Sequence, residues 1–255
     1  MEEDVKVLHP WTGAAAIAAM LLLAACGSGS SGAASTPRSP ARTPAAAGTP
    51  TPVGSPPAMA TLDRQVRSAI ANATSVHITV PDGQGTGGYG LDIGLTRSND
   101  MYGDVTYNNQ SVTVLARGGR AYMKLTAGAV KAMGLPSAVC VMVCGKYMEL
   151  SASDSKSMLA GAGWSDLVGS MVGSPSATPG LHYVGTVTVD GQPAWELAAN
   201  GATAYVAARG TPYPLRLVKG TDRIDYTQWN QVTIPPLPPA SQVIDLSQLQ
   251  QMGQS

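Results

Sequence analysis

Apolar residues recur along this chain in two rhythms. Between Leu62 and Ala73 they fall three and four apart, so Leu62, Val66, Ala69, Ile70 and Ala73 share one face of a helix. The expected helix runs from Thr61 to Ala73. Thr61 serves as its N-cap, and Asp63 sits in the first turn, where the helix dipole favours a negative charge. From Ser75 the period drops to two. Val76, Ile78 and Val80 alternate with polar residues, as do Leu91, Ile93 and Leu95.

A series of strand pairs with short turns follows. Asn108-Asn109 separates Asp104–Tyr107 from Ser111–Ala116, and Gly118-Gly119 separates that strand from Ala121–Leu125. Farther on, Asp190-Gly191 divides His182–Val189 from Pro193–Ala199, and Asn200-Gly201 leads into Ala202–Ala208. Lys219 to Asp222 joins Tyr213–Val218 to Arg223–Trp229. Asx-Gly and Gly-Gly pairs supply the positive φ that tight hairpin turns require. Between the two runs of strands, Thr126–Gly134 and Ser153–Val172 read as short helices around a strand at Lys146–Leu150. Met133, Met148, Met158, Met171, Leu159, Leu167 and Trp164 supply apolar bulk there.

The expected fold class is α+β, with about eleven strands in two antiparallel meanders forming one long curved sheet. A few helices pack on one of its faces. Val187 and Val189, Trp195 and Leu197, Ala204 and Val206, and Leu215 and Leu217 are assigned to the apolar face. Thr186, Thr188, Glu196, Thr203 and Arg216 are assigned to the solvated one.

The N-terminal part obeys neither rhythm. Gly13 to Ala25 is apolar and uncharged, too short to span a bilayer, which takes about 20 residues. It fits the apolar region of a secretory signal. Glu2, Glu3 and Asp4 oppose the usual positive flank, which suggests a translation start at Val5 or Val7. Leu23-Ala24-Ala25-Cys26 looks like a bacterial lipobox, matched at all four positions. That resemblance implies a diacylglyceryl group on Cys26 and cleavage between Ala25 and Cys26. Two acyl chains meet the two-signal requirement for stable anchoring, each buried methylene contributing about 0.8 kcal/mol.

From Gly27 to about Met59 the chain is mostly Gly, Ser, Ala, Thr and Pro, with Arg38 and Arg42 as its only charges. Such a segment buries too little apolar surface to offset the entropy of ordering, so a disordered tether is expected. Its reach as a flexible coil is on the order of 30 Å. The organisation is therefore a signal peptide at 1–25, a lipidated Cys26 and tether at 26–59, one domain at 60–248 and a tail at 249–255.

Charge narrows the function. Only 13% of residues are charged, and the formal net charge is zero. Lys6, Glu2, Glu3 and Asp4 leave with the leader, so the mature part carries 15 basic and 13 acidic residues. No basic stripe emerges, so no nucleic-acid partner is expected. Cys140 and Cys144 are the other cysteines, and in an exported protein a pair suggests a disulfide. Residues four apart on a strand lie about 13 Å apart, so a bridge requires a tight turn at Val141–Val143. A metal site needs two more ligands, His77 and His182 are the only histidines of the mature part, and no metal is expected.

Gly83, Gly85 and Gly88 spell G-x-G-x-x-G, but a strand pattern follows where a dinucleotide site needs a helix. Ser153 and Lys156 spell S-x-x-K without its companion motifs. No Ser/His/acid order surrounds His77 or His182, so no catalytic residue, cofactor or enzymatic activity is expected. Trp164, Trp195 and Trp229 either fill a core or line a ligand cavity.

The order of elements resembles the actinobacterial LppX/LprG-type lipoproteins, which share a fold with the LolA-type carriers. The resemblance rests on the lipobox, the tether, a first helix leading into Ser75-Val76-His77-Ile78, and two meanders around a helical middle. The C-terminal half adds Trp195-Glu196-Leu197, Gly210 to Leu217, Asp225 to Trp229 and Pro235-Pro236. It implies a half-barrel with helices in its concavity, in which some members hold lipid. The expected function is a membrane-anchored, extracytoplasmic lipoprotein that binds or carries a lipid or other apolar ligand, with no contact residue assignable. The alternative is a non-catalytic envelope scaffold or sensor accessory that binds another protein.

Overall fold

A computed structural model describes residues 53–81, 89–107, 110–132, 136–167 and 180–244. The leader, Cys26, most of the tether, the Asn108-Asn109 turn, Gly83, Gly85 and Gly88, Met133, Met171 and the tail at 249–255 lie outside the described residues.

Twelve strands form one open, curved sheet. Helix α1 is Met59–Asn72, and the first meander is β1 (Ser75–Val80), β2 (Tyr89–Thr96), β3 (Met101–Tyr107), β4 (Gln110–Arg117), β5 (Arg120–Lys124) and β6 (Tyr147–Glu149). Between β5 and β6 lie two short helices, α2 (Ala127–Ala132) and α3 (Cys140–Val143), and α4 (Ala152–Ala162) follows β6. The second meander is β7 (His182–Val189), β8 (Gln192–Ala199), β9 (Ala202–Ala207), β10 (Pro214–Lys219) and β11 (Asp222–Thr227). A short β12 (Val243–Ile244) ends the described chain.

The order across the sheet is β12-β6-β5-β4-β3-β2-β1-β11-β10-β9-β8-β7. Each of the eleven expected strands is present, and β12, which pairs parallel to β6, is the addition. The two meanders join where β1 pairs with β11.

The hairpins turn where the sequence places them. Asp190 and Gly191, Asn200 and Gly201, and Gly118 and Gly119 all have positive φ, as two-residue primed turns demand. The register then aligns the alternating apolar residues into rows. Val76, Leu95, Met101, Ala116 and Ala121 are successive cross-strand partners, each at most 3% exposed. Ile70 and Ala73 of α1 and Trp164 beyond α4 pack onto this face, with Met158 and Leu159 at its margin. Farther along the sheet, Leu62 of α1 packs on Leu197 and Val206. The stripe on α1 is thus core-facing, as its spacing predicts.

Four local readings are corrected. Helix α1 begins two residues before Thr61, because the Ala58 carbonyl accepts from both Thr61 and Leu62 N–H at 2.8 and 3.0 Å, and no side chain caps it. The expected helix at Ser153–Val172 is interrupted at Gly163, whose backbone is extended. Its N-cap is Ser151, which accepts from the Asp154 N–H.

Two bulges lie in the second meander. In β7–β8 the two-residue turn pairs Val189 with Gln192, so Val187 opposes Ala194 and Thr186 opposes Trp195, and the register shift between Tyr183 and Gly185 moves Tyr183 opposite Leu197. Val187 and Val189 therefore lie on the face opposite Trp195 and Leu197, in a separate cluster with Ala194, Ala207 and Leu215. The shift between Pro214 and Arg216 separates Leu215 from Leu217, which opposes Ala204. A bulge adds one residue to one strand and inverts the alternation beyond it.

The outer face of the first meander is not left to solvent. Residues 228–242 leave β11 and cross it as a strap. Val232, Ile234 and Leu237 cover Leu115 and Tyr122, which are 1% exposed, before the chain joins β6 as β12. The Arg117 guanidinium donates to the Ile234 and Pro235 carbonyls at 3.1 and 3.0 Å and holds the strap at mid-span.

Candidate functional site

The strap's departure from β11 builds the first candidate site. Gln228 and Asn230 both have positive φ, which turns the chain back over the sheet. The Asn230 carbonyl accepts from Thr74 N–H at 2.7 Å, and its amide donates to the Tyr213 hydroxyl at 2.8 Å. Tyr213 in turn stacks on Trp229, with ring centroids 4.6 Å apart and planes 6° from parallel. Trp229 donates its indole N–H to the Pro214 carbonyl at 2.9 Å.

These contacts form one wall of a cleft of about 350 Å³. Val189, Leu215 and Tyr226 give it an apolar floor, while Asp190, Gln192 and Gln231 contribute polar groups. Burial raises the pKa of the Tyr226 phenol, which keeps it neutral in the floor.

Beside the cleft, Arg216 spans two carboxylates. It bonds Asp225 directly and reaches Asp190 at 3.0 Å. Asp225, itself buried, also accepts from Arg223 at 2.7 Å. Burial opposes the Arg216 charge, but the hydrogen bond and attraction of Asp225, with Asp190 adding to both, outweigh it and hold its pKa above the ordinary value. The network fixes the β7–β8 turn to β10 and so holds Asp190 at the mouth of the cleft.

A second, smaller cleft of about 220 Å³ lies between strap and sheet. His77 faces it, with Nε2 2.8 Å from Asp92 and Nδ1 3.4 Å from the Thr227 hydroxyl. The order hydroxyl, imidazole, carboxylate is that of a nucleophile and its base. The register explains it more simply, since His77 is the cross-strand partner of Thr227. Asp92 is 64% exposed, and Thr227 is the last residue of β11. Among the described residues no group of three or more His, Cys, Asp or Glu is placed to hold a metal ion.

Neither cleft lies where helices meet sheet. There the cluster of Ile70, Ala73, Val76, Ile78 and Trp164 is close-packed. Of the tryptophans, Trp164 and Trp229 are buried in this core. Trp195 is half-buried at the other end and donates to the Gly54 carbonyl at 3.1 Å. His182 is exposed and bonds the Gly180 carbonyl. Ser153 contacts the Ser151 hydroxyl at 2.9 Å, and both it and Lys156 are exposed, so the S-x-x-K spacing assembles no site.

Cys140 and Cys144 are bonded, with Cα atoms 4.7 Å apart. The tight turn this needs is α3, four residues of helix. Cys26 is outside the described residues. No described helix is long and apolar enough to cross a membrane.

The cleft beside Tyr213 and Trp229 escaped sequence reasoning. Its residues come from the β7–β8 turn, the β9–β10 loop and the start of the strap, and only the Gly210 to Trp229 stretch stood out in the sequence.

No family model and no curated protein matches the chain. Among solved structures, it is similar in fold to LprF from Mycobacterium bovis, at 13% identity and a TM-score of 0.49, over 70% of this chain and 96% of that one. It is similar to the Mycobacterium tuberculosis lipoprotein LppX at 20% identity and a TM-score of 0.45, over 71% of this chain and all of that one. MucB, in a structure with MucA(peri), aligns at 16% identity and a TM-score of 0.30, over 72% of this chain and 59% of MucB. These likenesses concern the fold.

Proposed function

We propose that the chain is an extracytoplasmic lipoprotein, anchored through a diacylglyceryl group on Cys26, whose domain binds a lipid or other apolar molecule. The observation that carries the anchor is Leu23-Ala24-Ala25-Cys26, at the end of an uncharged apolar run and followed by a tether. The observation that supports ligand binding is the 350 Å³ cleft, with its apolar floor and polar mouth. That volume falls in the range of ligand pockets, about 300–1,000 Å³, and suits one small amphiphile or a single chain rather than a whole diacyl lipid. Binding is favoured over catalysis because the one hydroxyl–imidazole–carboxylate line, at His77, follows from strand register and lies in another cleft.

Mass spectrometry of the mature N-terminal peptide tests the anchor. A diacylglyceryl-modified Cys26 supports it, and an unmodified residue defeats it. Native mass spectrometry of the purified chain tests the ligand. A co-purifying apolar molecule that is lost when Leu215 is replaced by a charged residue supports the cleft.

A second reading, a scaffold that binds an envelope protein, is favoured by one observation. Strand β7 is an eight-residue edge with Val184 53% exposed, and such edges accept an added strand. A cross-link from β7 to a partner, with no bound lipid, would favour it.

A further inference from the structure

We infer that the disulfide-closed turn Cys140–Cys144 is a knob that seats on an anionic lipid surface. The inference rests on the reading that the chain is held beside a membrane.

Val141 is 89% exposed and Met142 43%. A single exposed apolar side chain is ordinary. Here two in succession are presented on a turn that cannot fold them inward. The Cys144 N–H donates to the Cys140 carbonyl at 2.9 Å, and the disulfide closes the same turn. Val143, the next residue, is fully buried on Leu125, Val130 and Met148. The turn is thus pinned from below and clamped across, and its tip is left apolar.

Charge names the occupant. Between Leu125 and Met148 the only charged residues are Lys131 and Lys146, both exposed, and there is no carboxylate. The Lys146 N–H donates to the Val143 carbonyl at 3.1 Å, which holds this lysine on the turn itself. An apolar tip with cationic flanks matches acyl chains beneath negative headgroups. A stable protein interface buries at least about 1,200 Å², more than two side chains on a convex turn can supply. A membrane needs only the tip, because the anchor already keeps the local concentration high.

Position adds a consequence. The knob precedes β6, near one end of the sheet, while the tether meets Trp195 on β8, near the other. Anchor and knob together lay the long sheet along the surface.

The test uses the full chain on two kinds of vesicle, one of phosphatidylcholine and one of phosphatidylcholine and phosphatidylglycerol in equal parts. A water-soluble oxidant is added, and Met142 sulfoxide is followed by peptide mass spectrometry. Flotation reports attachment separately. The expected result is oxidation of Met142 slowed about fivefold on the anionic vesicles, with the protection lost in K131E/K146E. Equal oxidation on both vesicles, in a chain that floats, overturns the knob and leaves the anchor standing. A chain that fails to float on phosphatidylcholine defeats the anchor, and Met142 is then read on anionic vesicles in large excess, where lack of protection overturns the knob as well. Protection that requires an added envelope protein rather than lipid also overturns it.

Discussion

Trp195 of β8 donates its indole N–H to the carbonyl of Gly54, 141 residues earlier in the chain, at 3.1 Å. The end of the expected tether is therefore part of the fold. Met59, at the start of α1, packs against the same cluster of Leu62, Leu197 and Val206 as Trp195 does. Trp195→Phe keeps the ring and removes the donor. Amide exchange at residues 53–58 should rise about tenfold, while global stability changes by less than about 1 kcal/mol. Unchanged exchange would show that packing alone holds the segment.

Asp225 accepts from Arg216 and Arg223 while nearly buried, with its side chain 10% exposed. Removing one partner of a buried pair leaves the other charge uncompensated. Asp225→Ala should cost about 3 kcal/mol, read as a lowered urea midpoint at unchanged slope. Asp190→Asn, which keeps a residue suited to the positive φ of 48° and removes the charge at the exposed end of the same arginine, should cost less than about 1 kcal/mol.

The buried Tyr226 phenol has a raised pKa, caused by desolvation. The unfolded chain releases this proton near pH 10, and the folded chain holds it to higher pH. Its contribution is complete below about pH 10 and is lost as pH climbs toward the folded value, because the unfolded state then binds fewer protons. Tyr122 and Tyr205 are shifted the same way, each first by burial, and add to the effect. Stability should fall steeply above about pH 10, less so in Tyr226→Phe. Phenolate absorbance of Tyr226 should appear only with unfolding, and its appearance beforehand would contradict the assignment.

Gly103 of β3 is the cross-strand partner of Ile93 in β2. A Cβ there would meet the Asp92 carbonyl oxygen at 2.0 Å, and its φ of +154° disfavours other residues. Gly103→Ala must move backbone rather than a side chain, so it should cost about 3 kcal/mol or more by thermal unfolding. Gly94→Ala meets only the Val232 methyl of the strap, at 2.6 Å, and should cost about half as much.

Much of this architecture was legible from alternation alone. Val76, Ile78, Val80, Leu91, Ile93 and Leu95 read as alternating apolar positions, and Asp190-Gly191 and Asn200-Gly201 marked their own turns. What alternation missed has physical causes. The Asp190-Gly191 turn pairs Val187 with Ala194 and so puts Val187 and Val189 on the face opposite Trp195, and the bulge between Pro214 and Arg216 inverts Leu215, because one extra residue shifts a period of two by half a cycle. The strap lacks any period, since its prolines bar it from a ladder. It therefore was assigned no element within the domain, although Ile234 packs on Leu115 and Tyr122. The Tyr213–Trp229 cleft was hidden for a related reason. Its walls are turns and loops that only the pairing of β1 with β11 brings together.

That pairing also sets the order of assembly. His77 and Thr227 face each other across 150 residues of chain. Each meander can close on its own as hairpins, with local loops that cost little entropy. The seam between them forms only once β11 is available, after nearly all of the domain has been made. Until then one edge of β1 stands unpaired, with Val76 and Ile78 beside it. The slow step in folding is expected at this seam, as for other sheets built on distant contacts. The chain is most open to aggregation during that interval, and a mutation that delays the seam would be felt first as lost yield.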